Sequence, residues 1–182
     1  PDPLDGGKVN GAACVDAFVG NPPFAGKNGI SEAGGPAYLP WLQAAHEGAH
    51  GNADLSAHFF RRAANLVGKH GTIGLIATNT VAQGDSREVG LEAMVAEGFT
   101  ITRSIQSRPW PASSANLEFA AVWGTFELVT ENAERVADDV PVRRISTLLD
   151  AAGRVDGPRR PARGDPAGAD PHGQGAQHLG DR

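Results

Sequence analysis

At 182 residues, with 40% hydrophobic and 20% charged residues and a net charge of -5, the chain has room for one ordinary domain and excludes a large multidomain enzyme. Residues 153–182 hold seven Gly and four Pro, no aromatic, and only Val155 and Leu179 as larger aliphatics, a composition that cannot bury a core. The expected division is therefore a globular part at residues 1–152, about 150 residues and large enough for a sizeable core, and a disordered Gly/Pro/Arg-rich tail at 153–182.

The single cysteine, Cys14, cannot form an internal disulfide, so nothing points to an oxidising compartment and the cytoplasm is the default. No apolar run approaches the roughly 20 residues that span a bilayer, and no membrane partner is expected. The opening Pro-Asp-Pro-Leu-Asp has neither the basic nor the apolar region of a signal peptide and lacks an initiator Met, so the chain reads as beginning mid-protein. The mildly acidic balance gives no electrostatic reason to expect nucleic acid, whose binding domains usually carry a basic surplus; a grip on DNA would have to lie elsewhere.

In chain order, Val15, Ala17 and Val19 alternate with Asp16 and Phe18 in a run that ends at Gly20 and reads as a mostly buried strand. Residues 21–35 are dense in Gly and Pro and read as a loop, after which Leu39, Trp41, Leu42 and Ala45 form a short helix before Gly48 and Gly51 interrupt it. Asp54 is a good N-cap for a further helix in which Leu55, Phe59, Ala63 and Leu66/Val67 recur at helical spacing until Gly68. Residues 72–77 read as a buried strand of a parallel sheet. Leu91, Met94 and Val95 mark a helix ended by Gly98, and residues 99–105 and 117–128 read as strands that pair antiparallel across a Pro/Ser-rich loop. Alternating strands and helices closed by a hairpin indicate an open α/β sheet with an antiparallel edge.

The densest chemical information lies in Val15-Asp-Ala-Phe-Val-Gly-Asn21-Pro22-Pro23-Phe24. Two prolines directly after a strand remove two backbone donors and fix two φ angles, so neither helix nor sheet continues through them. The Pro22 carbonyl and the Asn21 side-chain carbonyl are then two rigid acceptors at the carboxyl end of a strand, where open α/β sheets place their ligands. Such a pair can hold both N–H bonds of an exocyclic amino group and aim its lone pair at an electrophile, a gain in positioning and electrostatics. Phe24 adds a ring on which a planar base can stack.

This motif resembles the catalytic motif of S-adenosylmethionine-dependent adenine-N6 DNA methyltransferases. The likeness continues through Asn52-Ala-Asp54-Leu55-Ser-Ala-His-Phe59-Phe60, then Gly71, then Ile73-Gly-Leu-Ile-Ala-Thr-Asn79, and covers Val15 to about Pro158. It is most similar to the methyltransferase portion of large bacterial restriction-modification or phage-defence enzymes, including those with a fused nuclease. The resemblance implies a Rossmann-like class I methyltransferase sheet and a flipped adenine of double-stranded DNA as target. Asn21 and the Pro22 carbonyl would hold its amino group, Phe24 would stack on its ring, and S-adenosylmethionine would be the cofactor. Trp110, within Arg108-Pro-Trp-Pro111, is either the second wall of the base pocket or a cover for the sheet edge. The family's cofactor loop, a Gly-rich turn after a first strand, belongs upstream of the strand ending at Gly20, and no apolar run precedes Gly6-Gly7 to supply that strand. The expected fold is thus a partial sheet, with the cofactor-loop half missing and other parts of a parent enzyme as partners. The resemblance leaves cofactor-binding residues unassigned. Residues 159–182 read as either out-of-frame translation of a GC-rich gene or a linker.

His46-Glu47-Gly-Ala-His50 also fits the His-Glu-x-x-His pattern of zinc peptidases, with Glu88 or Glu92 as conceivable third ligand, although Gly48 interrupts the helix that the pattern needs. Protein glutamine methyltransferases use a similar Asn-Pro-Pro motif, usually followed by Tyr. A non-catalytic remnant is the third alternative. Arg61 and Arg62 read as a solvated helix face, and Asn79 as a loop residue.

Overall fold

The computed structural model describes residues 15–111 and 117–151. Residues 1–14, with Cys14 and the Gly6-Gly7 pair, and residues 112–116 and 152–182 lie outside the described residues, and so does the expected division of the chain at 152/153. The described chain runs β1 (Val15–Gly20), α1 (Lys27–Gly34), α2 (Tyr38–Ala45), α3 (Leu55–Leu66), β2 (Val67–Ala77), a 3-10 turn (Asn79–Ala82), α4 (Gly84–Arg87), a π turn (Glu88–Glu92), α5 (Ala93–Ala96), β3 (Thr100–Pro109), β4 (Glu118–Thr125), β5 (Arg135–Ala137) and β6 (Val140–Val142). No helix among these residues is long and apolar enough to cross a membrane.

One mixed six-stranded sheet runs in the order β1-β2-β4-β3-β5-β6. β1 and β2 are parallel, with Gly20 opposite Leu75. β4 lies antiparallel to β2, Ala120 opposite Ala77, and antiparallel to β3, Glu118 opposite Pro109. The expected antiparallel hairpin is therefore present, and the sheet continues past it through β5, which is parallel to β3, and β6. β2 carries Ile73, Leu75 and Ala77 into a core shared with Phe60 of α3, Leu91, Met94 of α5 and Val122 of β4. Trp123 on β4 sits opposite Gly74, and a Cβ there would meet the indole Cδ1 at 2.8 Å, which explains a glycine in the middle of a central strand.

α3 starts as its sequence dictates: Asp54 is extended and its carboxylate accepts from the Ser56 amide at 2.9 Å. It ends at Leu66, and β2 begins at Val67 without a turn, two residues before the expected stop at Gly68. Gly98, with φ +102°, closes the helical stretch after α5 as expected.

Two expectations need correction. Val15–Gly20 is a strand, but not a mostly buried one: every residue is half-buried or exposed, and Val19 is 79% exposed. β1 is an end strand whose partner among the described residues is β2 alone, and Phe18 is its apolar side chain that packs on the main core. Residues 21–35 are not all loop, because α1 forms within them. Its Ile30 is 0% exposed and packs with Leu39, Leu42 and Leu55, so tertiary burial overrides a Gly-rich stretch of low helix propensity.

Candidate active site at the carboxyl edge of the sheet

The Asn21–Phe24 turn follows directly on β1. Asn21 and Pro23 are exposed, Pro22 is buried, and Phe24 is half-buried against the main core. Asn21 makes no side-chain hydrogen bond to another described residue, and the two prolines after it stiffen the turn and cannot extend the ladder. The Leu55 amide donates to the Ala25 carbonyl at 2.8 Å, which ties the end of the turn to the start of α3.

The strand directions bring further residues to this edge. β1 and β2 both end here, β4 begins here and β3 ends here, so Asn21, Thr78–Asn79, Glu118 and Pro109–Trp110 stand in a row across four strands. Trp110 is half-buried; its amide donates to the Leu117 carbonyl at 2.8 Å and its ring meets the Phe119 ring edge-on at 5.4 Å. Three strand spacings of about 4.8 Å separate β1 from β3, so Trp110 and Asn21 bracket a gap of roughly 15 Å rather than adjoin.

A polar network that sequence reasoning missed fills the middle of that row. Asn79 Nδ2 donates to Ser107 Oγ at 3.1 Å and to Glu118 Oε2 at 3.0 Å, and Ser107 Oγ donates to the same carboxylate oxygen at 2.6 Å. The Ser107 bond first and the Asn79 bond second hold the Glu118 carboxyl below its ordinary range. Asn79 Oδ1 is buried without a partner among the described residues. Thr78, Asn79, Thr80, Leu117 and Glu118 line an open cavity of about 470 Å3. Asn79 reads as a loop residue in the sequence, because the network forms only when β2, β3 and β4 are laid side by side. The one linear cue is the run Thr78-Asn-Thr at the end of a buried strand.

The His-Glu-x-x-His segment does not form a helical pair of ligands. α2 ends at Ala45, His46 is extended, and Gly48 turns the chain with φ +73°. His46 is 5% exposed and its ring lies 5.4 Å from that of His58 in α3, whereas His50 is exposed with Nε2 3.4 Å from Glu88. Burial first, then the neighbouring Arg61, pushes the His46 pKa down; burial first, then His46, pushes that of His58 down to about 4. His50, Asp85 and Glu88 do offer ligand atoms within 4.8 Å of one another. Asp85 Oδ2, however, already accepts the Asn52 amide at 2.6 Å.

Arg61 is not on a solvated face. It is 5% exposed and donates to the carbonyls of Val89 at 3.1 Å and Glu47 at 3.3 Å and to Glu97 Oε1 at 3.2 Å. Arg62 is exposed as expected.

The family model described as Eco57I restriction-modification methylase matches residues 8–106, more than half of the chain. The chain belongs to that family. The matched part of this Eco57I-type methylase runs through β1, the Asn21–Phe24 turn, Asn79 and most of β3, and stops before Trp110 and Glu118. Among solved structures the chain is similar to the Type IIL restriction-modification enzyme MmeI, determined in complex with DNA, with TM-score 0.55 and 18% identity over 76% of this chain and 20% of that one. The mixed sheet is thus of the Rossmann-like class I methyltransferase kind, and the chain spans about a fifth of the length of that enzyme. No curated protein matches the sequence.

Proposed function

We propose that this chain carries the target-base half of an adenine-N6 DNA methyltransferase belonging to a larger restriction-modification or phage-defence enzyme. The observation that carries the reading is the Asn21-Pro22 pair, an exposed Asn followed by a buried Pro on a proline-stiffened turn at the carboxyl end of a parallel strand. Two acceptors there bind the N–H groups of a flipped adenine's amino group and hold its lone pair in line for transfer. Pro22 and Pro23 keep the turn from relaxing, and Phe24 supports it from the core side and offers its remaining face to the base, while Trp110, three strands away and edge-on to Phe119, covers the sheet edge. MmeI was solved with DNA, which supports a double-stranded DNA partner for the parent enzyme.

S-adenosylmethionine supplies the methyl group in this class of enzyme. Among the described residues no strand leads into a helix through a glycine-rich turn: the turn after β1 is Asn-Pro-Pro-Phe, and β2 leads into a 3-10 turn. No residue here is therefore assigned to the cofactor. We take residues 1–152 as the catalytic half and place the continuation of the parent sheet at the edge of β1 that has no partner among the described residues.

In the parent enzyme Asn21→Ala removes an acceptor that matters most in the transition state. It should lower turnover by about 100-fold or more and leave DNA affinity within threefold. Methylation and DNA-binding assays on both proteins check this; undiminished turnover in the variant rejects the assigned role.

A further inference from the structure

A second cavity, of about 340 Å3, lies between α2 and α3 and shares no lining residue with the Asn21–Phe24 turn or the Asn79 network. Its walls are two helical stripes that face each other: Tyr38, Trp41 and Leu42 from α2, and His58, Phe59 and Arg62 from α3, with His46 closing one end. Five of these side chains are flat rings. Tyr38 and Trp41 are stacked, with centroids 5.9 Å apart and planes 16° apart, and His46 and His58 form a second pair tilted by 32°. Trp41 is 60% exposed, an unusual amount for a Trp on the cavity side of a helix.

The walls select the guest. Cages of aromatic rings commonly hold cations, but Arg61 and Arg62 stand close enough to push the His46 pKa down, and they repel a cation here. Arg61 is committed to Glu97 and two backbone carbonyls, whereas Arg62 makes no hydrogen bond or ion pair among the described residues. Arg62 at the rim therefore favours an anion. His46 and His58 are both at least nine-tenths buried, and each has an Nδ1 with no hydrogen-bond partner among the described residues. Burial lowers the pKa of both imidazoles, so this flat wall disfavours a second positive charge and suits an uncharged ring. The volume is at the small end of the roughly 300–1,000 Å3 range of ligand pockets.

We infer that this cavity binds a nucleotide, with the base set between the Tyr38/Trp41 pair and the two imidazoles and the phosphate held by Arg62. Its source is either a free mononucleotide or one nucleotide of a single DNA strand. The full chain is titrated with adenosine 5′-monophosphate, adenosine, inorganic phosphate and a short single-stranded oligonucleotide, read by tryptophan fluorescence and by calorimetry. The monophosphate should bind saturably and at least fivefold more tightly than adenosine, with inorganic phosphate alone weaker still. Arg62→Ala should weaken the monophosphate five- to tenfold and leave adenosine unchanged, and Trp41→Ala should weaken both; both side chains are exposed, and circular dichroism verifies that the variants fold. Tighter binding of the oligonucleotide than of the monophosphate identifies the strand as the source, and the reverse identifies the free nucleotide. The inference is overturned if neither the monophosphate nor the oligonucleotide binds saturably at millimolar concentration, or if both variants bind them as tightly as the unsubstituted chain.

Discussion

Adjacent arginines on α3 have opposite roles, and no local pattern in the sequence distinguishes them. The groups that bind the two terminal nitrogens of Arg61 lie 14, 28 and 36 residues away, so its burial is a property of the assembled fold. Truncating it would strand the Val89 carbonyl, a loss of about 1–3 kcal/mol, and leave Glu97 without its cation. Arg61→Ala should therefore destabilise the chain by about 2–4 kcal/mol, while Arg62→Ala should stay within about 0.5 kcal/mol; urea unfolding of the two variants measures the difference. His58 makes a complementary case in which pH is the variable. Its folded pKa of about 4 lies below the ordinary 6.5, so between those values the unfolded chain binds a proton that the folded chain does not. The stability due to a neutral His58 is fully present above pH 6.5 and is lost as the pH falls toward 4, up to roughly 3 kcal/mol. His58→Gln should flatten the dependence of unfolding free energy on pH in that window, and an unchanged slope would assign the dependence to other groups. The same residue scale explains what was readable at the carboxyl edge. Asn21 to Phe24 announce themselves because prolines act on the backbone wherever they stand, whereas Asn79, Ser107 and Glu118 have meaning only as a trio.

At the scale of elements, legibility follows the origin of each element's stability. α3 has a capping side chain and a regular apolar stripe, both local, and β2 has a run of β-branched and aliphatic residues, so both are visible in the sequence. α1 has neither: Gly26 provides no side-chain cap, and two glycines interrupt its eight residues. What holds it is Ile30, fully buried against Leu39, Leu42 and Leu55. Ile30→Ala should cost about 2–4 kcal/mol, and its effect should spread to both short helices because they share this cluster. Hydrogen exchange should show faster opening of α1 and α2 with β2 and β4 unaffected; uniform acceleration across the sheet would mean that the small cluster and the main core open as one unit. This cluster also seats the α2 stripe opposite α3, so the nucleotide-sized cavity inherits its geometry from Ile30.

At the scale of the whole molecule, the sheet is asymmetric. One end finishes in the short β5–β6 hairpin, and the other finishes in β1, a strand with one described partner, an exposed Val19 and the Asn21–Phe24 turn at its tip. A strand edge with no partner among the described residues is a template for pairing with another strand, and the proposed reading assigns that place to the rest of the parent sheet. On that reading the acidic charge balance that argues against nucleic acid in the sequence describes one portion of a larger surface, while in this chain Val15–Gly20 is not the mostly buried strand that its alternation suggests. The consequence is measurable in the backbone. In this chain the β1 amides not bonded to β2 should exchange within the fastest class, while those facing β2 are protected. In a longer polypeptide that includes the neighbouring part of the parent enzyme, both sets should be protected, by at least tenfold for the outward set, and Val19→Lys should then weaken the longer protein by more than 1 kcal/mol while leaving this chain nearly unchanged. Equal exchange of the outward amides in both proteins would place the junction elsewhere, and the Asn21–Phe24 turn would then have to be completed from another side of the molecule.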